Sequence, residues 1–274
     1  FGWREIFIII GMVLVLAIPA TMDFFGQSGT PDKVAGMGLF CLILFPLTVI
    51  PTLVAVPDKV AERKEALGWR DMVALLRSNP LLWRLLTADF TTSFAMSATA
   101  ALYIFFATYV FELQNHASLA LLLYFVAGFL AMPVWLKFAY RMGKVGAIKL
   151  AVGYTMVLQG GLFFVTEPGN VVLFWSYTFL AGLAFGAGPT LLHSMMADLT
   201  DIDELKTGQK RAGMYFALLA TINKLGGAVA VGITLTAADK FFNFTPGAAN
   251  SQTAIDGLLL IFCFAPAAAL ALTY

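Results

Sequence analysis

The sequence predicts an all-α membrane protein, and three observations carry that reading. Hydrophobic residues fill 60 % of the 274 positions and charged residues only 12 %, against about 45–50 % and about 25 % in ordinary soluble domains. Apolar stretches of spanning length recur eight times, each long enough for about 30 Å of hydrocarbon. Nowhere does a long segment alternate apolar and polar residues as the strands of a barrel do.

The elements follow in order. The first stretch, 5–23, opens behind Arg4 and closes at the turn residues Gln27 to Pro31; the second, 34–56, stops at Pro57. From Pro57 to Pro80 runs the one long connection. It is basic early, with Lys59, Arg63 and Lys64. Later Trp69, Met72, Val73, Leu75 and Leu76 oppose Arg70 and Arg77, which predicts an amphipathic helix lying on the membrane surface. Six further stretches cover 85–111, 118–139, 146–165, 170–197, 212–238 and 254–273. Their outer links, Glu112 to Ala117, Thr166 to Asn170 and Asn243 to Ser251, are polar, nearly uncharged turns. Pro189 removes a ladder hydrogen bond inside 170–197 and predicts a bend there. The chain therefore divides into 1–57 with two spans, a cytoplasmic linker over 58–84, and a six-span bundle over 85–274.

Lysine and arginine assign the sides, because loops rich in them stay cytoplasmic during insertion. Of the seventeen, fourteen fall on one side, Lys33 and Lys240 on the other, and Lys224 alone lies inside a span. A net charge of +1 gives no reason to expect nucleic acid as a partner. Cys41 and Cys263 sit in apolar stretches with no partner spacing, and His116 and His193 make no ligand set, so neither a metal site nor a catalytic nucleophile is expected.

Lys224 stands roughly 20 Å beyond Arg211 at about 1.5 Å per residue, well inside the hydrocarbon. Even a lenient insertion scale charges about 2.5–3.5 kcal/mol for a lysine there, so it calls for a counter-charge, a water-filled cavity or a ligand. Asn223, Thr221, Gly226 and Gly227 around it are small or polar. At the inner end of 170–197, Asp198, Asp201, Asp203 and Glu204 crowd against Lys206, Lys210 and Arg211. Such a cluster forms salt bridges able to break when a cytoplasmic gate opens. A merely solvated loop is the plain alternative, above all for Asp203. An imidazole side chain changes charge near neutral pH, which makes His193 a candidate for a proton relay, and Asp89, near the inner end of 85–111, joins it as a second candidate.

Three blocks carry a family resemblance. Met196-Ala-Asp198-Leu-Thr-Asp201-Ile-Asp-Glu204-Leu-Lys206 with Lys210-Arg211, then Ala-Gly-Met-Tyr and Ile-Asn-Lys224-Leu-Gly-Gly, resembles helix ten, the inner loop and helix eleven of the glycoside-pentoside-hexuronide cation symporters of the major facilitator superfamily. Phe1-Gly-Trp-Arg-Glu-Ile-Phe is similar to the start of that family's helix five, and Arg141-Met-Gly-Lys144 to the loop between helices eight and nine. The resemblance implies a partial major facilitator fold, helices five to twelve, with 1–57 ending an N-terminal bundle and the first four helices outside this chain.

What it implies for function is cation-coupled symport of a sugar or glycoside by alternating access, in a multi-pass protein of a plasma membrane, the inner membrane in a bacterium. No cofactor is expected beyond a coupling ion, Na⁺ or H⁺, bound on the helices outside this chain. Lys224 with Asn223, Thr221, Tyr103, Tyr109 and Gln159 would line the substrate and coupling cavity; Asp198, Asp201, Glu204, Lys206, Arg211 and Arg141 would form the gate; His193 and Asp89 would relay a proton. A lysolipid or another small solute on the same fold is the alternative cargo. An intramembrane enzyme or a non-transporting sensor is the alternative class.

Overall fold

The computed structural model describes residues 30–55 and 69–273, together with positions 7, 10–12, 14, 15, 17 and 18. Most of the stretch 5–23, with Arg4, and the basic start of the linker, Lys59, Arg63 and Lys64, lie outside the described residues. The chain divides into two compact units, Phe1–Trp69 and Arg70–Tyr274.

In the first unit α1 covers Thr30–Ala55. It is apolar on all sides, as a spanning helix must be, and it contains Pro46 and Pro51. Proline cannot donate to the ladder. Hydroxyls nearby serve carbonyls of the same helix: Thr48 Oγ1 donates to Leu44 O and Phe45 O, both at 3.0 Å, and Thr52 Oγ1 to Thr48 O at 2.8 Å.

The second unit is built from α2 (Trp69–Ser78), α3 (Pro80–Phe105) with a π-helical turn at Phe106–Val110, α4 (Gln114–Val165), α5 (Val171–Phe185), α6 (Ala187–Thr207), α7 (Ala212–Phe242) and α8 (Gln252–Ala271). No strand occurs among the described residues. Asn79 starts α3 by accepting from the Leu81 and Leu82 amides at 3.2 Å, with Pro80 at the first helical position. Asn170 starts α5 the same way, accepting from Leu173 N at 2.9 Å.

Six described helices are long and apolar enough to cross a membrane, by length and composition. One of them, α4, holds 52 residues, about 78 Å of helix, more than twice the hydrocarbon thickness. It reverses at Gly143, whose φ of 81° and ψ of 159° suit glycine alone. Trp135 on one limb donates to Leu183 O at 2.6 Å and Tyr154 on the other to Leu180 O at 2.8 Å, so both limbs reach the same stretch of α5. The expected stretches 118–139 and 146–165 are these two limbs. The bend expected near Pro189 is a break at Gly186, between α5 and α6. Pro189 has no N–H to offer the Phe185 carbonyl, so the ladder fails there.

Packing is organised in two layers. At the outer end, Phe106, Phe111, Phe174, Tyr177, Leu258 and Phe262 form a buried cluster; at the basic end, Leu75 of α2 joins Leu82, Leu86, Leu192, Met196, Tyr215 and Leu219. Helices approach closely where glycine permits. A Cβ on Gly226 would come within 2.7 Å of Phe90 O, and one on Gly182 would collide with Tyr124 O, which fixes α7 against α3 and α5 against α4.

Candidate functional site

Helix α7 sorts its residues by face. Gly226 is buried, and Ser93 of α3 donates to Asn223 O at 2.6 Å, so these positions turn toward α3. Thr221, Lys224, Leu225 and Ala228 occupy the opposite, exposed face. Lys224 makes no ion pair or hydrogen bond with the described residues, and Thr221 Oγ1 returns to Ala217 O at 2.8 Å. Lys224 lines neither the cleft at Gln159 nor the cleft at Arg84. The structure thus places the mid-span ammonium on an exposed face of α7.

Behind that face lies a polar centre that unites three residues the sequence singled out separately. Asp89 of α3 is 2 % exposed, and its Oδ2 has no hydrogen-bond partner. The side chain of Asn223 on α7 and the imidazole of His193 on α6 both act on its carboxyl electrostatically. His193 sets its Nδ1 2.8 Å from Pro189 O and stacks on Phe216 at 6.3 Å. Ser93 completes the centre through Asn223 O. Ser93, one of several hydroxyls on α3, carries no sequence signal that sets it apart from its neighbours.

The aromatic and amide candidates are engaged elsewhere. Tyr103 is buried and donates to Ala117 O at 2.9 Å. Tyr109 accepts from the Gly247 amide at 2.6 Å and packs edge-on to Phe244, tying α3's π turn to the outer loop before α8. Gln159, 4 % exposed, donates to Thr99 and accepts from Tyr177 at 3.1 Å. It lines an interior cleft of about 90 Å³ with Thr92, Thr99 and Thr155, sized for a few waters rather than a sugar. Burial pressure explains the difference: a polar group inside a helical bundle finds a backbone or side-chain partner first.

At the basic end the charges pair in a pattern the sequence order did not reveal. Arg211 makes a two-pronged contact with Asp203, Nε to Oδ2 at 3.0 Å and Nη2 to Oδ1 at 2.8 Å, with both side chains largely buried. Asp203, the residue most easily read as solvated, is therefore the acid that holds Arg211. The signal was Gly208, which ends α6 in a left-handed conformation at φ 69° and folds the following residues back onto the last turns. Lys144 binds Asp198 and donates to Ser194 O at 3.3 Å, so the turn inside α4 engages α6 through Lys144; Arg141 is exposed and has no ion pair among the described residues. Glu204 reaches Lys210 at 3.7 Å in the open. Asp201 and Lys206 are exposed and likewise without an ion pair among the described residues.

Repeated apolar helices, a double-length stretch reversing at glycine, and polar centres buried between spans mark an integral, multi-span membrane protein. The chain belongs to the MFS/sugar transport protein family, which it matches over residues 1–274. It is similar to an uncharacterized symporter of Synechocystis sp., 33 % identical over 38 % of this chain and 20 % of that protein. It is also similar to a sodium-dependent lysophosphatidylcholine symporter of Danio rerio, 23 % identical over 69 % of this chain and 36 % of the relative. A sphingosine-1-phosphate transporter of Xenopus tropicalis is 25 % identical over 55 % of this chain and 29 % of its own length. The chain spans between a fifth and a half of the length of the first curated relatives it matches. Family and relatives are transporters, not enzymes.

Proposed function

We propose that the complete protein is a secondary transporter that carries a sugar or glycoside by cation-coupled alternating access, with Lys224 linking occupancy by solute to occupancy by the coupling ion. The observation that carries this reading is the mid-span ammonium on α7, exposed and without a partner among the described residues. In hydrocarbon such a charge costs about 2.5–3.5 kcal/mol, so the face that bears it meets water or a counter-charge when the protein works. Thr221 shares the face of Lys224, and Asn223, the residue before that lysine, turns inward toward Asp89 and Ser93. The sugar assignment draws support from the family description and from the glycoside-symporter pattern of residues 196–227. Na⁺ or H⁺ supplies the driving force, bound on helices outside this chain, and the Lys144–Asp198 and Arg211–Asp203 pairs hold the cytoplasmic side of the cycle.

A lysolipid is the second reading of the cargo, favoured by the similarity to the Danio rerio symporter across 69 % of this chain. Counterflow in vesicles containing the intact transporter separates the two. Exchange of a labelled glycoside that needs Na⁺ or a proton gradient for accumulation supports the first reading, and exchange of lysophosphatidylcholine alone supports the second. Binding of solute with no exchange of either would make the protein a sensor and end both.

A further inference from the structure

A cleft of about 760 Å³ opens at the basic end of the six-span unit between α3, the second limb of α4, α6 and the end of α8. None of the residues around Lys224 belongs to it. Its volume is that of a site for a whole small molecule or a lipid headgroup with the first methylenes of its chains. Trp83, Val145, Met195 and Ile202 give it apolar walls, and Arg84 and Lys149 give it two cations. Trp83, Val145 and Ile202 are 53 %, 55 % and 41 % exposed, an arrangement suited to acyl chains and a headgroup boundary. Arg84 makes no ion pair or hydrogen bond with the described residues. The one acid on the wall, Asp198, is already bound by Lys144, which leaves the charge of Arg84 without a counter-ion among the described residues of the cleft.

Charge and position specify the occupant. The basic end carries Arg77, Arg141, Lys144, Lys206, Lys210 and Arg211 besides the two cleft cations, which makes it the cytoplasmic end and faces it toward the anionic inner leaflet. Basic pockets between spanning helices on that side suit phosphate headgroups, and the apolar walls add nothing for a bare anion. We propose that this cleft binds an anionic phospholipid of the inner leaflet, its phosphate held by Arg84 and Lys149 and its chains laid along Trp83, Val145, Met195 and Ile202. The site is separate from the transport face of α7 and does not depend on which solute is carried.

Native mass spectrometry of the intact transporter, titrated with phosphatidylglycerol or with phosphatidylcholine of the same chain length, tests it. Phosphatidylglycerol is expected to be retained preferentially. Arg84→Gln and Lys149→Gln should each weaken that retention about fivefold, and together about 25-fold, with phosphatidylcholine unaffected. Ile202→Trp, which fills the apolar wall, should displace the lipid with both cations intact. If Arg84→Gln fails to fold, Arg84→Lys should keep the preference while Lys149→Gln alone reads the loss. Three outcomes overturn the proposal: equal retention of the two lipids, as when another segment of the intact protein fills the cleft; preference unchanged in the double variant; or competition by inorganic phosphate alone, which would mark a bare anion site.

Discussion

The two ends of the six-span unit are held by different physics. At the outer end Phe106 stacks flat on Phe262 at 3.9 Å, meets Phe111 at 5.2 Å, and Phe111 meets Phe174 at 5.2 Å, all four fully buried. At the basic end the joints are ion pairs of unequal burial, Arg211–Asp203 with side chains 16 % and 10 % exposed and Lys144–Asp198 with 33 % and 57 %, beside an open cleft. Interlocked rings have one good arrangement, since each pair adds about 0.5–1.5 kcal/mol beyond its area and loses it when the rings part. Exposed ion pairs exchange a partner for water at about 0–1 kcal/mol. The comparison teaches that the aromatic end is the fixed point of this unit and the basic end is where its contacts can change.

The contrast can be broken most sharply at its fixed point. Phe106→Ala is expected to cost about 3–5 kcal/mol, read as a large fall in the thermal midpoint of the intact protein in detergent; a shift of a degree or two would remove the aromatic end from the argument. Next in size, Asp203→Asn leaves Arg211 buried without its carboxylate and should cost about 3 kcal/mol, seen by denaturation. Gly226→Ala forces a methyl toward Phe90 O and should cost about 1–3 kcal/mol, with Gly232→Ala, where the site is open, as the silent control. Smallest is Asp198→Asn, expected to alter stability by about 1 kcal/mol or less while changing transport rate in counterflow. Equal stability losses in Asp203→Asn and Asp198→Asn would erase the distinction between the two pairs.

Hydropathy made the spans legible because a bilayer allows so few solutions to the backbone's hydrogen bonds. The turn at Gly143 was legible too, through the basic residues around it, which separate the two limbs. Pairing was not legible. Arg211 finds Asp203 eight residues back only because Gly208 turns the chain, and Lys144 reaches Asp198 from 54 positions away. The same limit holds for Tyr103, Tyr109 and Gln159: sequence shows that a polar group is inside a span but not which carbonyl, amide or hydroxyl it meets there. Asp89, His193 and Asn223 were each visible as polar residues within spans. Their convergence depends on the close crossing of α3 and α7 that Gly226 allows.

Uphill uptake by the intact transporter carrying Lys224→Ala, measured in vesicles under an imposed Na⁺ or pH gradient, tests the central claim most directly. Accumulation should vanish while the protein remains in the membrane in wild-type amount. Accumulation at the wild-type level would contradict the assignment of Lys224 as the link between solute and coupling ion.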